Sequence, residues 1–287
     1  DFTGSSPQVA GGVNTPLPFT KASVYTALRS VMQSDIPNCH GFERVVTVTA
    51  PKGTVVNSVH PAPCGARGIT GYRVIDAMFG ALAQALPDRV TADGMGGSTV
   101  PTFAGTHAGR AFVFTETVMG TWGASAEHDG QVGVPHMGAN QANVPVEMIE
   151  ASYPLRIRRY GIMPDTGGSG RYRGGNAFIR EYEYLGEQPG LMSLRSDKRT
   201  FRPHGLFGGA EGTGPVSLLI QGERVTELPV LVTKPYALKK GDVFRHISPS
   251  GGGYGEAKDR PRAEVLADIE AGLISAEVAL RDYGVTA

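Results

Sequence analysis

The sequence has only two cysteines, Cys39 and Cys64, and a single tryptophan. Two thiols exclude a disulfide framework, and a reducing compartment, the cytoplasm, is expected. A charge bias is missing as well: 27 Lys plus Arg balance 27 Asp plus Glu. A nucleic-acid binder normally carries a basic excess, so that class is set aside. No run of about 18 apolar residues occurs, so no membrane span is expected, and no signal peptide is visible. Charged residues make up 19% of the chain, below the roughly 25% of ordinary globular domains. So lean a surface points to a covering partner subunit. Nucleotide signatures are lacking too. Gly208-Gly209-Ala210-Glu211-Gly212-Thr213-Gly214 has no phosphate-loop lysine, and Gly168-Ser169-Gly170 has no third glycine of a dinucleotide fingerprint. Both read as tight turns. With no C-x-x-C and no H-E-x-x-H, a structural zinc is not expected.

What the sequence does have is glycine: 40 of 287 residues, about 14% against a usual ~7%. With no collagen period, the excess implies turns and close backbone approaches. A helix is expected from Thr20 to Met32, capped by Thr20. A Val/Thr-rich strand is expected over Phe42–Ala50, ended by Pro51-Lys52-Gly53. The clearest helix is Gly71–Leu86, with Val74, Ile75, Met78, Phe79 and Leu82 on one face, Thr70 as cap and Pro87 as stop. Residues 88–110, including Gly94–Thr99, read as a long loop, and Ala111–Val118 as a strand. Beyond Ser152, strands are expected at 155–162, 177–185, 191–195, 216–220 and 229–232. A glycine run at 250–255 suggests a hinge, followed by two short helices, Pro261–Ala271 and Ser275–Tyr283. The fold class is therefore α+β: mixed and β-rich, with a buried helix early, an antiparallel sheet or sandwich later and a short helical tail. The expected parts are 1–150, mixed with long Gly-rich loops; 151–250, β-rich; and 251–287, glycine hinge and tail.

Candidate chemistry is sparse. His128, Asp129 and His136 flank one irregular stretch and could ligate jointly, although loop histidines are the commoner outcome. Cys39 and His40 are adjacent, so their side chains point apart on an extended chain. Ser5 lies in no G-x-S-x-G elbow. The densest polar stretch is His136–Glu147, which holds His136, Asn140, Gln141 and Asn143. Such groups can hold a polar substrate or stabilise an oxyanion; turn chemistry is the alternative.

A resemblance carries the reading further. Asp1-Phe2-Thr3-Gly4-Ser5-Ser6-Pro7-Gln8 with Asn14, Gly80–Pro87, Asn143-Val144-Pro145-Val146-Glu147, Tyr153-Pro154-Leu155-Arg156, Pro164–Gly170, Arg173-Gly174-Gly175, Ser193–Arg199 and the tail around Asp282-Tyr283-Gly284 resemble the hydantoinase B/oxoprolinase family. The resemblance covers essentially the whole chain in order. It implies a component of an ATP-dependent cyclic-amide hydrolase acting on hydantoin, N-methylhydantoin or 5-oxoproline. ATP with Mg would sit on an A-type partner, which phosphorylates the amide oxygen. Family B-type subunits are about twice as long, and the motifs here match their C-terminal half. The opening run at Asp1 fits that, suggesting that an upstream segment was removed or belongs to another chain. The family's metal motifs lie in the other half, so a divalent metal is expected there and no ligand or cofactor residue is assigned in this chain. On chemical grounds, His136, Asn140 and Asn143 are expected to line a site as donors. Glu116 is expected as a general base or orienter, and Asp1 and Ser5 are expected near the missing half. Two alternatives stay open: a subunit of a biotin-independent ketone carboxylase, and a non-catalytic scaffold half. All three readings imply a hetero-oligomer.

Overall fold

The computed structural model describes residues 1–32, 34–95 and 99–286. Gly96, Gly97 and Ser98 of the expected loop lie outside them. The chain divides into two compact units, Asp1–Val90 and Thr91–Ala287.

The first unit is built on helices α1 (Leu17–Val31), α2 (His40–Glu43) and α3 (Arg67–Leu82). Helix α1 packs on α3, and Val24, Val56 and Val74 form the buried centre. Gly71 permits the contact: a Cβ there would lie 2.2 Å from Cε1 of Phe19. Neither expected cap is one. Thr20 and Thr70 both lie inside their helices. Their hydroxyls instead donate to the carbonyls of Val56 and Val13, each at 2.6 Å, so they serve tertiary bonds. The expected strand over Phe42–Ala50 is not formed. Its start is α2, and Val46, Val48 and Ala50 pack inward from irregular backbone. The alternation is real, but the bonds joining this stretch to other segments are scattered: Phe2 N–H donates to Thr49 O at 2.8 Å and the Asn57 side-chain amide donates to Ala50 O at 2.7 Å. A ladder needs a partner along its length.

The second unit holds β1 (Val100–His107), β2 (Arg110–Thr115), β3 (Gly120–Thr121), β4 (Val132–Val134), α4 (Val146–Ser152), β5 (Leu155–Ile162), β6 (Phe178–Tyr184), β7 (Gly190–Arg195), β8 (Val216–Gln221), β9 (Arg224–Glu227), β10 (Tyr236–Leu238), β11 (Val243–Ile247), α5 (Arg262–Glu270) and α6 (Ala276–Tyr283). The fold is α+β with antiparallel sheets. One sheet runs β10-β7-β1-β2 and another β5-β6-β11-β8-β9. They share one core: Phe103 lies 5.3 Å from Tyr182 and 6.2 Å from Phe244, centroid to centroid. The later part of the expected loop 88–110 is therefore β1, a central strand. The first sheet joins strands on both sides of residue 150, so the division near 150 expected from composition does not follow the pairing. Pro229–Val232 makes only an isolated bridge, Arg195 to Leu231, rather than a strand.

Where several irregular segments of this unit meet, glycine replaces side-chain packing. A Cβ on Gly251 would sit 2.0 Å from Trp122 O, one on Gly174 2.0 Å from Gly251 O, and one on Gly168 2.2 Å from Ala210 O. These segments exchange backbone hydrogen bonds, with Gly168 N–H on Gly251 O, Gly251 N–H on Gly175 O and Gly175 N–H on Trp122 O. Side chains would hold the backbones too far apart for them. Residues 250–253 are buried and the whole run 250–255 is held by backbone hydrogen bonds, so it is packed structure rather than a hinge. The tail is fastened by charge. Arg260 donates to both carboxylate oxygens of Asp129 at 2.8 Å and to Asp268 at 2.8 Å. Burial works to raise the Asp129 carboxyl, but Arg260 and the Arg173 N–H outweigh it and hold it below its ordinary value.

The register of the second sheet brings Ser217, His246, Arg180 and Tyr160 into one row across β8, β11, β6 and β5. His246 is fully buried, its Nδ1 3.0 Å from Ser217 Oγ. Burial lowers its pKa from 6.5 to about 3. The folded ring stays neutral while the unfolded one protonates below about 6.5. Its contribution to stability is thus full at neutral pH and is lost as pH falls toward 3. Each unit of that window costs about 1.4 kcal/mol. His246→Leu should therefore flatten the fall in urea-measured stability between pH 6.5 and pH 5. An unchanged slope would show that other groups set it.

Candidate functional site

Glu116 follows β2 and points into the sandwich. It is 1% exposed although charged. A buried carboxylate needs partners, and it has three. One oxygen accepts from Arg180 Nη2 at 3.0 Å and from Val144 N–H at 2.8 Å; the other accepts the Tyr182 hydroxyl. Burial, with the Glu116 charge adding to it, raises Tyr182 well above its ordinary pKa, so the hydroxyl stays a donor. Arg180 also donates to Val144 O at 2.9 Å and to the Tyr182 oxygen at 3.0 Å, and its guanidinium lies 4.4 Å over the Tyr160 ring.

This knot holds the Asn143–Val144 end of the His136–Val144 segment. Asn143 is fastened to it: its carbonyl oxygen accepts Met119 N–H at 2.7 Å, and its amide donates to Tyr160 Oη at 2.5 Å. Gln141 donates to Thr117 O at 3.3 Å, and Trp122 Nε1 donates to Pro135 O at 2.7 Å. Asn140 is exposed, while His136 is half-buried. Gly138 N–H donates to His136 Nδ1 at 3.1 Å, a bond that ties the ring to its own loop.

Of the residues expected at a site, Glu116 and Asn143 are thus brought into one network with the loop that carries His136 and Asn140. Asp1 and Ser5 lie in the first unit. Asp1 turns onto its own chain, accepting from Thr3 N–H and hydroxyl at 2.8 Å. His128 is exposed beside Glu127, and Asp129 is taken by Arg260. Among the described residues, no three of His, Cys, Asp or Glu stand together as metal ligands. No described helix is long and apolar enough to cross a membrane. Sequence reasoning missed Arg180, Tyr182 and Tyr160. An arginine inside the apolar run Ala177–Leu185 was the available signal, since a buried charge demands a counter-charge.

Known proteins share this arrangement of chain. The family model of hydantoinase B/oxoprolinase matches residues 1–257. A protein of Pseudomonas sp. (strain NS671), provisionally designated the B-type subunit of a D-/L-hydantoinase, is 35% identical; the match covers 100% of this chain and 49% of that one. The crystal structure of the ATP-dependent caprolactamase from Pseudomonas jessenii superposes with a TM-score of 0.87 at 28% identity, over 99% of this chain and 51% of that one. Nucleotide-free acetone carboxylase superposes at 0.81 with 17% identity, over 97% and 42%, a likeness of fold alone. The chain spans about half the length of these relatives. By the extent of the family match and the identity along its whole length, the chain belongs to the hydantoinase B/oxoprolinase family.

Proposed function

We propose that this chain is one component of an ATP-dependent enzyme that opens cyclic amides such as hydantoin, N-methylhydantoin or 5-oxoproline through a phosphorylated amide. The observation that carries this is the family match over residues 1–257, together with the fold shared with an ATP-dependent caprolactamase. ATP with Mg is assigned to an A-type partner, and any divalent metal to the N-terminal half of the B-type subunit, since this sequence has no phosphate loop. The free thiols Cys39 and Cys64 fit a reducing, cytoplasmic setting. The carboxylase reading is the weaker one, because acetone carboxylase shares the fold alone.

The residues divide into presenters and holders. The His136 ring and the Asn140 amide are assigned as the polar groups that meet the amide as charge develops on it. Glu116 serves as the orienter, because both its oxygens are already engaged by donors. Asn143 acts with it as a clamp.

The reading is tested by purifying this chain with its A-type partner and the N-terminal half, then following ATP hydrolysis and products with hydantoin, 5-oxoproline, caprolactam, and acetophenone plus bicarbonate. A ring-opened acid formed with ATP turnover is expected. Turnover only with ketone plus bicarbonate would move the complex to the carboxylases, and a stable but silent complex would leave this chain a scaffold. His136→Ala and Asn140→Ala should each lower ring-dependent kcat by roughly 10²-fold, the usual cost of one lost oxyanion donor. Wild-type kcat in both would remove these residues from the site.

A further inference from the structure

Strand β5 is the longest strand at a sheet edge in the second unit, eight residues against six for β2 and four for β9. Its inner side is used: Arg159 pairs with Glu181, Tyr160 with Arg180, Gly161 with Ile179 and Ile162 with Phe178. Its outer side is open. Residues 158–162 are all exposed, and nothing lies within 4 Å of a Cβ on Gly161. Met163 N–H donates to Ala177 O at 2.8 Å, the step after the pair Ile162–Phe178. Bonded and non-bonded pairs alternate in an antiparallel ladder, so the peptide groups of Tyr160 and Ile162 face away from β6. Among the described residues, no segment bonds to those N–H and C=O groups. Such a row is a template for another strand.

Charge defines what fits there. Arg158 and Arg159 make no ion pair among the described residues, and Glu181, opposite Arg159, is held by Arg245 at 2.5 Å. Arg156, close by, reaches Glu183 only at 3.6 Å. Beside these cations stand the exposed apolar side chains of Tyr160 and Ile162. A second β5 laid on this edge would set arginine against arginine, which opposes pairing with a copy of the chain. The bulge between Ile157 and Arg159 guards one end of the edge and leaves Arg159–Ile162 regular. The edge also adjoins the candidate site, since Tyr160 Oη accepts the Asn143 amide at 2.5 Å.

We propose that the open edge of β5 takes an extended, carboxylate-bearing segment of the N-terminal half as an added strand. The relatives are about twice as long as this chain, so in them an equal length of chain shares the subunit with this sheet. The backbone of the segment bonds to Tyr160 and Ile162, and its carboxylates meet Arg158 and Arg159. The inference rests on the reading that an N-terminal half completes the subunit, and not on ring opening.

The test titrates the purified N-terminal half into this chain and follows hydrogen exchange residue by residue. Binding should slow exchange at Tyr160 and Ile162 by about 10-fold or more, while Arg159 and Gly161, already in the ladder, change little. Arg158→Glu combined with Arg159→Glu should weaken binding by about 10- to 100-fold. Ile162→Pro removes one outward N–H, a change that edge strands tolerate on their open side, and should also weaken binding. If the proline variant misfolds, the charge-reversed pair decides, because both of its side chains are exposed. Unchanged exchange at Tyr160 and Ile162 in a formed complex, or a charge-reversed variant that binds as tightly as wild type, overturns the inference and leaves the two-half subunit standing. Absence of any binding overturns both. Protection of the same amides by the A-type partner alone, or by self-association of this chain, names another occupant and overturns this one. No turnover is needed, so a complex that opens no ring still gives the answer.

Discussion

Glu116→Ala should be among the most damaging single substitutions in the second unit. It leaves Arg180, which is fully buried, without its counter-charge, and Tyr182 and Val144 N–H without their acceptor. Breaking a buried pair by removing one partner costs about 3–5 kcal/mol, because the surviving charge stays desolvated. For a unit of this size that is a fall of roughly 10 °C in melting temperature. Glu116→Gln keeps the shape and one acceptor, so a smaller loss is expected. The effect should extend to the His136–Val144 segment, whose amides should lose hydrogen-exchange protection. Calorimetry and exchange on both variants give the result. If Glu116→Ala melts within about 2 °C of wild type, the pair is not the anchor described here, and the orienting role falls with it.

The second large effect concerns glycine. Gly251→Ala places a methyl 2.0 Å from Trp122 O, and Gly174→Ala places one 2.0 Å from Gly251 O. Real Cβ contacts do not come so close, and the obstacle is backbone, which no rotamer change can move aside. Overpacking a core usually costs about 1–3 kcal/mol when side chains can yield. Here the segments must separate and break the bonds between Gly168, Gly175 and Gly251, so about 4 kcal/mol or more is expected, the exceptional end for one substitution. Gly161, on edge strand β5, is the control: nothing lies within 4 Å of a Cβ there. Gly161→Ala should stay within about 0.5 kcal/mol of wild type. Equal stabilities for Gly251→Ala and Gly161→Ala in urea titrations would show that the glycine layer is looser than described.

Much of this was legible in residues. Period and turn chemistry marked α3, β5, β6, β7 and β8 and both tail helices, because each carries its own pattern over enough residues. Ser275 caps the last helix and Gly284 ends it in a left-handed turn, both local choices. The glycine count pointed to close backbone approaches, and Gly71, Gly174 and Gly251 make them. The ordered motifs from Asp1 to Gly284 sufficed for the family. What the sequence could not decide is which segments meet. Strand β1 has Pro101 and Gly105 and reads as loop; its place between β2 and β7 makes it a strand. Val46–Ala50 has the strand pattern but, among the described residues, no segment pairs with it along a ladder. Glu116 and Arg180 stand 64 positions apart, and Asp93 and Lys198 stand 105 apart. Their charges are tolerable only because folding brings each to its counter-ion inside a dry interior. That pairing is a property of the packed structure, since the pull between charges strengthens as water is excluded and no local pattern records it.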